Sequence, residues 1–349
     1  MAKRTTIKEI AALSGVSPGT VDRILHNRGN VSKRSRAAVD KVLAAISYAG
    51  DDYFADAAKR CSLAVLTPTS SAGDYWSAVY SGIQDAVQTF KHPGITLESF
   101  HYNQFDVYSC LSAQDAVLKR KPDGVIIGPT FLEEAQSFCA SLSEAGIPYV
   151  FVDSYFDNAN PLAIYTTDQL SAGRAMAHLL TALIPAGSQM AIFESKRTGA
   201  RLSTNSLVRR DGFIDYLKIE DRENELVETC YTSTIPTENE QTVRRLLQDY
   251  KGLRGIAVLN SRGSAIADIL EQLGNSHIKV ISFDLTLENM ECLRKGSIRA
   301  LLCQQPYKQG FSAASVLVKY VMNEEMPPST LNFLPIDIVL KETMDFYKE

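Results

Sequence analysis

The 349-residue chain holds one tryptophan, five histidines and six cysteines, and none of these stands in a pattern that chemistry would need. The cysteines (Cys61, Cys110, Cys139, Cys230, Cys292, Cys303) are scattered, with no Cys-x-x-Cys pair. That speaks against a disulfide framework and a zinc site, and fits reduced thiols in the cytoplasm. The histidines (His26, His92, His101, His178, His277) are equally dispersed, so no His-x-x-x-His metal pattern exists and none sits beside a plausible nucleophile. No P-loop is present. An enzyme is therefore not expected, nor a cofactor or a metal. No run of eighteen apolar residues occurs, which argues against a membrane span, and the N-terminus has no apolar segment suited to secretion. Low-complexity tracts and strong short-period repeats are also missing.

What is present is size, ordinary hydrophobicity and a strong local pattern. A chain of this length implies two or three domains, and 45% hydrophobic residues suffice for sizeable cores. Residues 5–48 read as three short helices. Thr6 and Glu9 have the spacing of a capping box, and Gly15 is a natural left-handed stop. Ser17 caps a second helix with Pro18 at its first position, and Ser32 caps a third that runs to about Tyr48. Ile10, Leu13, Val16, Val21, Leu25, Val39, Val42 and Ile46 recur at helical spacing and are expected to form one small core. A helix, a glycine turn and a second capped helix make the geometry that lays a helix in the DNA major groove. A small helical bundle used for protein contact is the competing reading.

The string Thr6-Ile7, Ile10-Ala11, Gly15-Val16-Ser17, Thr20-Val21, Arg23, Leu25, Asn27 and Val31-Ser32 resembles the DNA-binding headpiece of the lactose/galactose-repressor (LacI) family. Asp22 departs from the serine usual there; an acid on that face repels phosphate unless it accepts from a cytosine amino group or pairs with Arg23. The resemblance assigns base reading to the second and third residues of the helix. Here these are Pro18 and Gly19, which carry no hydrogen-bonding side chain. The DNA-contact set expected from the resemblance is Thr6, Ser17, Pro18, Gly19, Thr20, Asp22, Arg23, Asn27 and Arg28. Residues 1–48 carry nine bases and three acids, a balance of +6, so the remainder must carry −10 for the chain to total −4. A basic head on an acidic body implies that DNA meets only the head.

Residues 49–61 form the expected linker. The family's hinge has Tyr, then Pro-Asn, Ala-Arg and a Leu that wedges the minor groove. Here Gly50 and Asp51 replace Pro and Asn, Ala55 replaces Arg and Ala57 replaces Leu. Asp51, Asp52 and Asp56 would be repelled by phosphates. Two readings stand: an acidic tether, or wedging by Phe54 or Tyr53.

From residue 62 onward, short apolar strands alternate with helical stretches, which implies parallel sheets covered by helices on both faces. Ten or so strands exceed one compact sheet, so two similar lobes are expected, with the first crossing near Tyr165–Asp168. The fold expected is thus a small all-α helix-turn-helix headpiece followed by a two-lobed α/β domain. Its lobes comprise about 62–165 with 296–325, and about 166–295 with 326–349; the headpiece is 1–48. Ligands of parallel α/β sheets gather at the carboxyl ends of strands. That rule selects Thr67-Pro68, Gly128-Pro129, Asp153-Ser154, Glu194-Ser195, Asn260-Ser261, Asp284 and Gln304-Gln305.

The same positions carry a second resemblance, over roughly 62–340, to periplasmic sugar-binding proteins and the effector domain of LacI-type repressors. Its pieces are Tyr75-Trp76 before Ser81-Gly82-Ile83, Val152-Asp153, Asp168 with Gly173, Arg209-x-x-Gly212-Phe213, Leu259-Asn260, Phe283-Asp284 and Gln304-Gln-Pro306 with Gly310. The resemblance implies aromatics stacked on a sugar ring and polar groups bonded to its hydroxyls: Tyr75, Trp76, Asp153, Arg209, Asn260, Asp284 and Gln304. Planar Asp, Asn, Gln and Arg groups suit such an array. Trp76 has a core-filling alternative, Asp153 and Asp284 have capping alternatives, and Arg209 has pairing with Asp211 or Asp215. Arg197 and Arg201 are placed to meet an anionic ligand or solvent.

Together these readings predict a cytoplasmic, ligand-responsive transcription regulator, binding double-stranded operator DNA as a homodimer and sensing a small polar metabolite, foremost a carbohydrate. The alternative is a sugar solute-binding protein without a DNA role.

Overall fold

The structure, a computed structural model, describes residues 7–25, 31–32, 34–39, 41–42, 60–92, 94–196, 203–222, 225–232 and 235–347. Two compact units divide at Arg60. In the first, α1 (Ile7–Ser14), α2 (Pro18–Leu25) and α3 (34–39 and 41–42) enclose Ile10, Ala11, Val21, Ile24 and Val39. Gly15 ends α1 at φ +67°, and the Val16 N–H donates to the Ala11 carbonyl. Ser17 Oγ accepts from the Thr20 N–H at 3.3 Å, and Ser32 Oγ accepts from the Ser35 N–H at 3.1 Å, so both serines cap as their positions require. Leu13 does not join the core; it is 65% exposed. Ile7, Ile10, Ala11 and Ser14 define the inner stripe of α1, and at roughly 100° per residue Leu13 falls well outside it. Ile24 takes up core space instead. Thr6, Asn27, Arg28, Leu25's side chain, Ile46 and the linker residues Tyr53 and Phe54 lie outside the described residues.

The second unit is α/β. Its strands are β1 (Cys61–Pro68), β2 (Ile95–Tyr102), β3 (Gly124–Ile127), β4 (Tyr149–Val152), β5 (Ala163–Thr166), β6 (Gln189–Lys196), β7 (Leu226–Thr232), β8 (Leu253–Val258), β9 (Lys279–Phe283), β10 (Ala300–Cys303), β11 (Leu331–Phe333) and β12 (Asp337–Val339). Between them run α4 (Tyr75–Thr89), α5 (Val107–Arg120), α6 (Leu132–Glu144), α7 (Gln169–Leu183), α8 (Thr204–Ile219), α9 (Pro236–Asp249), α10 (Gly263–Gln272), α11 (Leu287–Lys295) and α12 (Pro306–Asn323). Two six-stranded sheets result, in the orders β11-β5-β4-β3-β1-β2 and β12-β10-β9-β8-β6-β7, which correspond strand for strand. All described pairings are parallel except β10 with β12. Central strands such as Gly124–Ile127, Tyr149–Val152 and Ala300–Cys303 are buried throughout, because helices cover both faces. Four apolar clusters fill the two faces of each sheet.

The expected lobe boundaries need correction. Strand β10 pairs in parallel with β9 and belongs to the second lobe, not the first, while β11 pairs in parallel with β5 and returns to the first lobe. The last two strands, β11 and β12, lie on different sheets, the first lobe's and the second lobe's respectively. A short apolar run reads the same whichever sheet receives it, so sequence pattern could not make these assignments. Cys61, placed in the linker, instead opens β1 opposite Ile95. The chain crosses between lobes at 167–168, 304–305 and 334–336.

Each lobe contains one tight helix crossing built on glycines. In the first, a Cβ on Gly82 (α4) would stand 2.0 Å from the Tyr307 carbonyl oxygen, and one on Gly310 (α12) 2.0 Å from that of Val79. In the second, Gly173 (α7) faces the Arg209 carbonyl at 1.9 Å and Gly212 (α8) that of Leu170 at 2.1 Å. Small residues let these backbones touch. Among the described residues no helix is long and apolar enough to cross a membrane.

Candidate functional site

A cavity of about 440 Å3 opens between the lobes, lined by residues that follow β1, β2, β3 and β4 on one side and β6, β8, β9 and β10 on the other. Tyr75, Trp76, Asp153, Arg209, Asn260, Asp284 and Gln304 all line it. Seven residues from α4, α8 and four strand ends thus converge, as the carboxyl-end rule requires of parallel sheets.

The floor is a locked polar array. Arg209, 3% exposed, donates from Nε to Gln169 Oε1 at 2.7 Å, from Nη1 to the Leu259 carbonyl at 2.8 Å and from Nη2 to Gln304 Oε1 at 2.6 Å. Its guanidinium lies 3.8 Å from the centroid of the Phe283 ring, a cation–π contact. Burial lowers its pKa, opposed by Asp284, Asp153 and Tyr75. The pairing with Asp211 or Asp215 considered for Arg209 is made by other arginines: Arg210 meets Asp211, Glu194 and Glu228, and Arg174 meets Asp215. Asp284 accepts from the Gln304 backbone N–H at 3.2 Å and from Gln304 Nε2 at 2.9 Å. Burial pushes its carboxyl up to about 7, against the pull of Arg209 and of the Gln304 hydrogen bonds. It does not cap α11; Thr286 does, accepting from the Asn289 N–H. Gln304 lies at a lobe crossing, where Thr167 Oγ1 and Gln169 Nε2 also donate to its Oε1 at 3.3 Å.

On the first lobe, Tyr75 and Trp76 open α4 and meet edge to face, with centroids 5.3 Å apart. The Trp76 ring lies over Gly128, where a Cβ would stand 2.3 Å away, so it fills the core and borders the cavity at once. Burial holds the Tyr75 phenol well above its usual pKa, with Asp153 and Asp284 adding to the effect. Asp153 takes φ +69° after β4, and Ser154 Oγ donates to its Oδ2 at 2.8 Å. Asn260 Oδ1 accepts from Tyr231 Oη at 2.6 Å and from the Arg262 N–H at 3.1 Å, which fixes the amide at the cavity edge. Of the strand-end pair Glu194-Ser195, Ser195 lines the cavity, while Glu194 is buried near Arg210 with its pKa raised by burial. Arg197 and Arg201 lie outside the described residues.

Four buried amides escaped the sequence reading. Gln309 accepts from the Asp153 N–H at 2.9 Å and from Tyr75 Oη at 3.3 Å, and donates to the Gln304 carbonyl at 2.9 Å. Gln169 orients Arg209. Asn205 donates to Asp153. Asn289 ties the ends of β8 and β9 by donating to the Ser261, Phe283 and Asp284 carbonyls. Gln309 had a signal, one turn beyond Gln304-Gln-Pro306; the other three sit on helices where an amide reads as surface.

In the headpiece, Ser17, Pro18, Gly19 and Arg23 are exposed and Thr20 and Asp22 half-buried. Ser17 Oγ and Thr20 Oγ1 lie 2.9 Å apart and hydrogen-bond, and a Cβ on Gly19 would meet nothing within 4 Å. The string Gly15-Val-Ser17-Pro-Gly19 has the spacing of a hydrolase nucleophile elbow, but it joins two helices, not a strand and a helix.

Residues 63–325 match the periplasmic binding protein domain, and residues 6–51 match the bacterial regulatory proteins of the lacI family. The ribose operon repressor of Halalkalibacterium halodurans is 23% identical over 348 residues, covering 97% of both chains. The HTH-type transcriptional regulator TreR of Salmonella typhimurium is 51% identical over 43 residues, 12% of this chain and 14% of TreR. A crystal structure of a LacI-like transcriptional regulator from Bacteroides fragilis superimposes with a TM-score of 0.79 at 28% identity, over 83% of this chain and all of that one. The chain therefore belongs, over most of its length, to the periplasmic binding protein domain family and carries a lacI-family DNA-binding domain at its head: a ligand-responsive, DNA-binding transcriptional regulator.

Proposed function

We propose that the cleft takes a sugar as effector, and that its occupancy sets how two headpieces of a homodimer meet a roughly palindromic operator. One observation carries the reading: Asp284, Gln304 and Arg209 form a preorganised planar donor–acceptor array on one side of a cavity whose other lobe presents Tyr75 and Trp76. Fixed polar groups match the fixed hydroxyls of a sugar, and an aromatic edge or face meets its C–H surface. Asp153 and Asn260 supply further hydroxyl partners. The ribose operon repressor, similar along nearly its whole length, supports a carbohydrate. Thr6, Ser17, Pro18, Gly19, Thr20, Asp22, Arg23, Asn27 and Arg28 contact DNA. One headpiece offers few phosphate contacts, which favours a dimer. Effector binding shifts the population between two arrangements, a coupling of about 1–3 kcal/mol. The protein acts by binding, in the cytoplasm, without turnover.

The test is a calorimetric and thermal-shift panel of D-ribose, D-glucose, D-galactose and D-xylose, followed by gel-shift selection from random duplexes with and without the binder. A ligand at a hundred times its Kd should stabilise by about 2.7 kcal/mol. Trp76, the sole tryptophan, reports the site by fluorescence. Failure of every sugar to bind overturns the effector assignment; selected duplexes without dyad symmetry overturn the dimer.

A further inference from the structure

Two contacts span the cleft between segments that belong to different sheets. Asn205, at the start of α8 in the second lobe and 9% exposed, donates from Nδ2 to the Asp153 carbonyl at 3.3 Å and to Asp153 Oδ2 at 3.2 Å. At the cavity rim, the Leu287 N–H at the start of α11 donates to the Gly73 carbonyl at 3.3 Å. The Leu287 side chain lies over Gly73: a Cβ there would stand 2.3 Å from Leu287 Cγ and 2.4 Å from Cδ1. Gly73 has φ +84°, so both its turn and its neighbour demand glycine. Asp74 and Glu288, next along each chain, line the cavity behind this contact.

Neither contact is held by a nearby crossing of the chain at both ends. Gly73 and Leu287 are joined covalently only through the lobe crossings, so their separation depends on how far the lobes approach. Asn205 acts on a residue of the ligand site itself. Its hydrogen bonds, with those of Ser154 and Thr166, hold the Asp153 carbonyl and Oδ2, and Tyr75 bonds the same side chain, which together fix the carboxylate at the cavity. Closure therefore completes the site, and the site's ligand favours closure.

We propose that Asn205 is a positioning residue for Asp153 and that Leu287 on Gly73 is a strap, and that these two cross-lobe contacts set the residence time of the effector. The inference rests on a sugar occupying the cleft. Contacts formed after encounter act on dissociation and leave association unchanged.

The experiment is stopped-flow Trp76 fluorescence on the full chain with the tightest-binding sugar among D-ribose, D-glucose, D-galactose and D-xylose. Asn205→Ala and Leu287→Ala are each expected to raise koff about tenfold, with kon and the ligand-free melting temperature unchanged. Leu287→Met keeps the apolar cover and should keep the wild-type koff. Leu287 is 61% exposed, so its truncation leaves folding intact even if Gly73→Ala does not fold. Wild-type koff in both alanine variants overturns the proposal. So does a fall in kon or in ligand-free stability, which marks a merely structural role. If the unaltered protein binds none of the four sugars, it is the effector assignment that fails, and the proposal falls with it.

Discussion

Asp153 and Asp284 occupy equivalent places in the two lobes. Each follows the strand that is third in its sheet order, β4 or β9, and each takes the left-handed conformation, at φ +69° and +61°. Aspartate is among the few residues that adopt this backbone readily. The turn ends the strand and places a carboxylate at the cavity. The surroundings have diverged. Asp153 is half-buried and clasped by Ser154 and Asn205, while Asp284 is 3% exposed and held twice by Gln304.

Asp284 should make effector binding and stability pH-dependent in opposite senses. Burial raises its carboxyl to about 7, far above the unfolded value of 3.8. Folding stability from this group is therefore full below pH 4 and is lost as pH rises to about 7, because the folded state holds the proton longer. A ligand hydroxyl that donates to the carboxylate favours the ionised form. Between pH 6 and pH 8 sugar affinity should rise up to about tenfold, with proton release near pH 7. Calorimetry at the two pH values, in buffers of different ionisation enthalpy, checks both. Asp284→Asn should lose the effector response and show a shallower fall of melting temperature from pH 5 to 7.5. A flat affinity profile would mean that the ligand does not use Asp284 as an acceptor.

The crossing glycines give a prediction of sign. Alanine in a helix interior usually stabilises by about 1 kcal/mol relative to glycine. At Gly212 and Gly310 the new methyl would meet backbone oxygen at 2.1 and 2.0 Å, and backbone cannot rotate away. Gly212→Ala and Gly310→Ala should each destabilise the receptor domain by about 1–3 kcal/mol in urea unfolding. Gly19→Ala, with nothing within 4 Å, should raise the headpiece transition instead. Stabilisation by all three would show that the helices can move apart freely.

These glycines also show what the sequence could and could not reveal. The strings Ser81-Gly82-Ile83, Arg209-x-x-Gly212 and Pro306 with Gly310 mix two kinds of residue: Arg209 lines the cavity, while the glycines bring helices together some distance along the same element. Strand ends were legible because apolar runs stop where polar residues begin, and so Asp153, Asn260, Asp284 and Gln304 were found by position. Asn205, Gln169 and Asn289 were not, because a lone amide on a helix carries no period and only the third dimension brings it to its partner. The lobe of β10 and β11 was hidden for a similar reason: pairing is decided by crossings at 304–305 and 334–336, which have no distinctive composition. Leu13 shows the converse limit, since helical spacing admits residues beside the buried stripe as well as within it.

Ser17 separates the folding of the headpiece from its contact with DNA. Its Oγ accepts from the Thr20 N–H and bonds Thr20 Oγ1, at the exposed start of α2. Ser17→Ala removes the cap at a cost of about 1 kcal/mol. Among the described residues the buried apolar core of the headpiece is small, Ile10, Ala11, Val21, Ile24 and Val39, so that loss is a large share of its stability. Operator affinity should fall for this variant while sugar affinity, measured on the same protein, stays unchanged. Ser17→Thr should restore both cap and operator binding. Ser17→Asp caps as well as serine but sets a negative charge where the resemblance places phosphate, so its headpiece should remain folded by circular dichroism and yet bind the selected duplex more weakly, most of all at low salt. Wild-type operator affinity in Ser17→Asp, measured by fluorescence anisotropy across a salt series, would place the start of α2 away from the DNA backbone and move the contact face elsewhere on the headpiece.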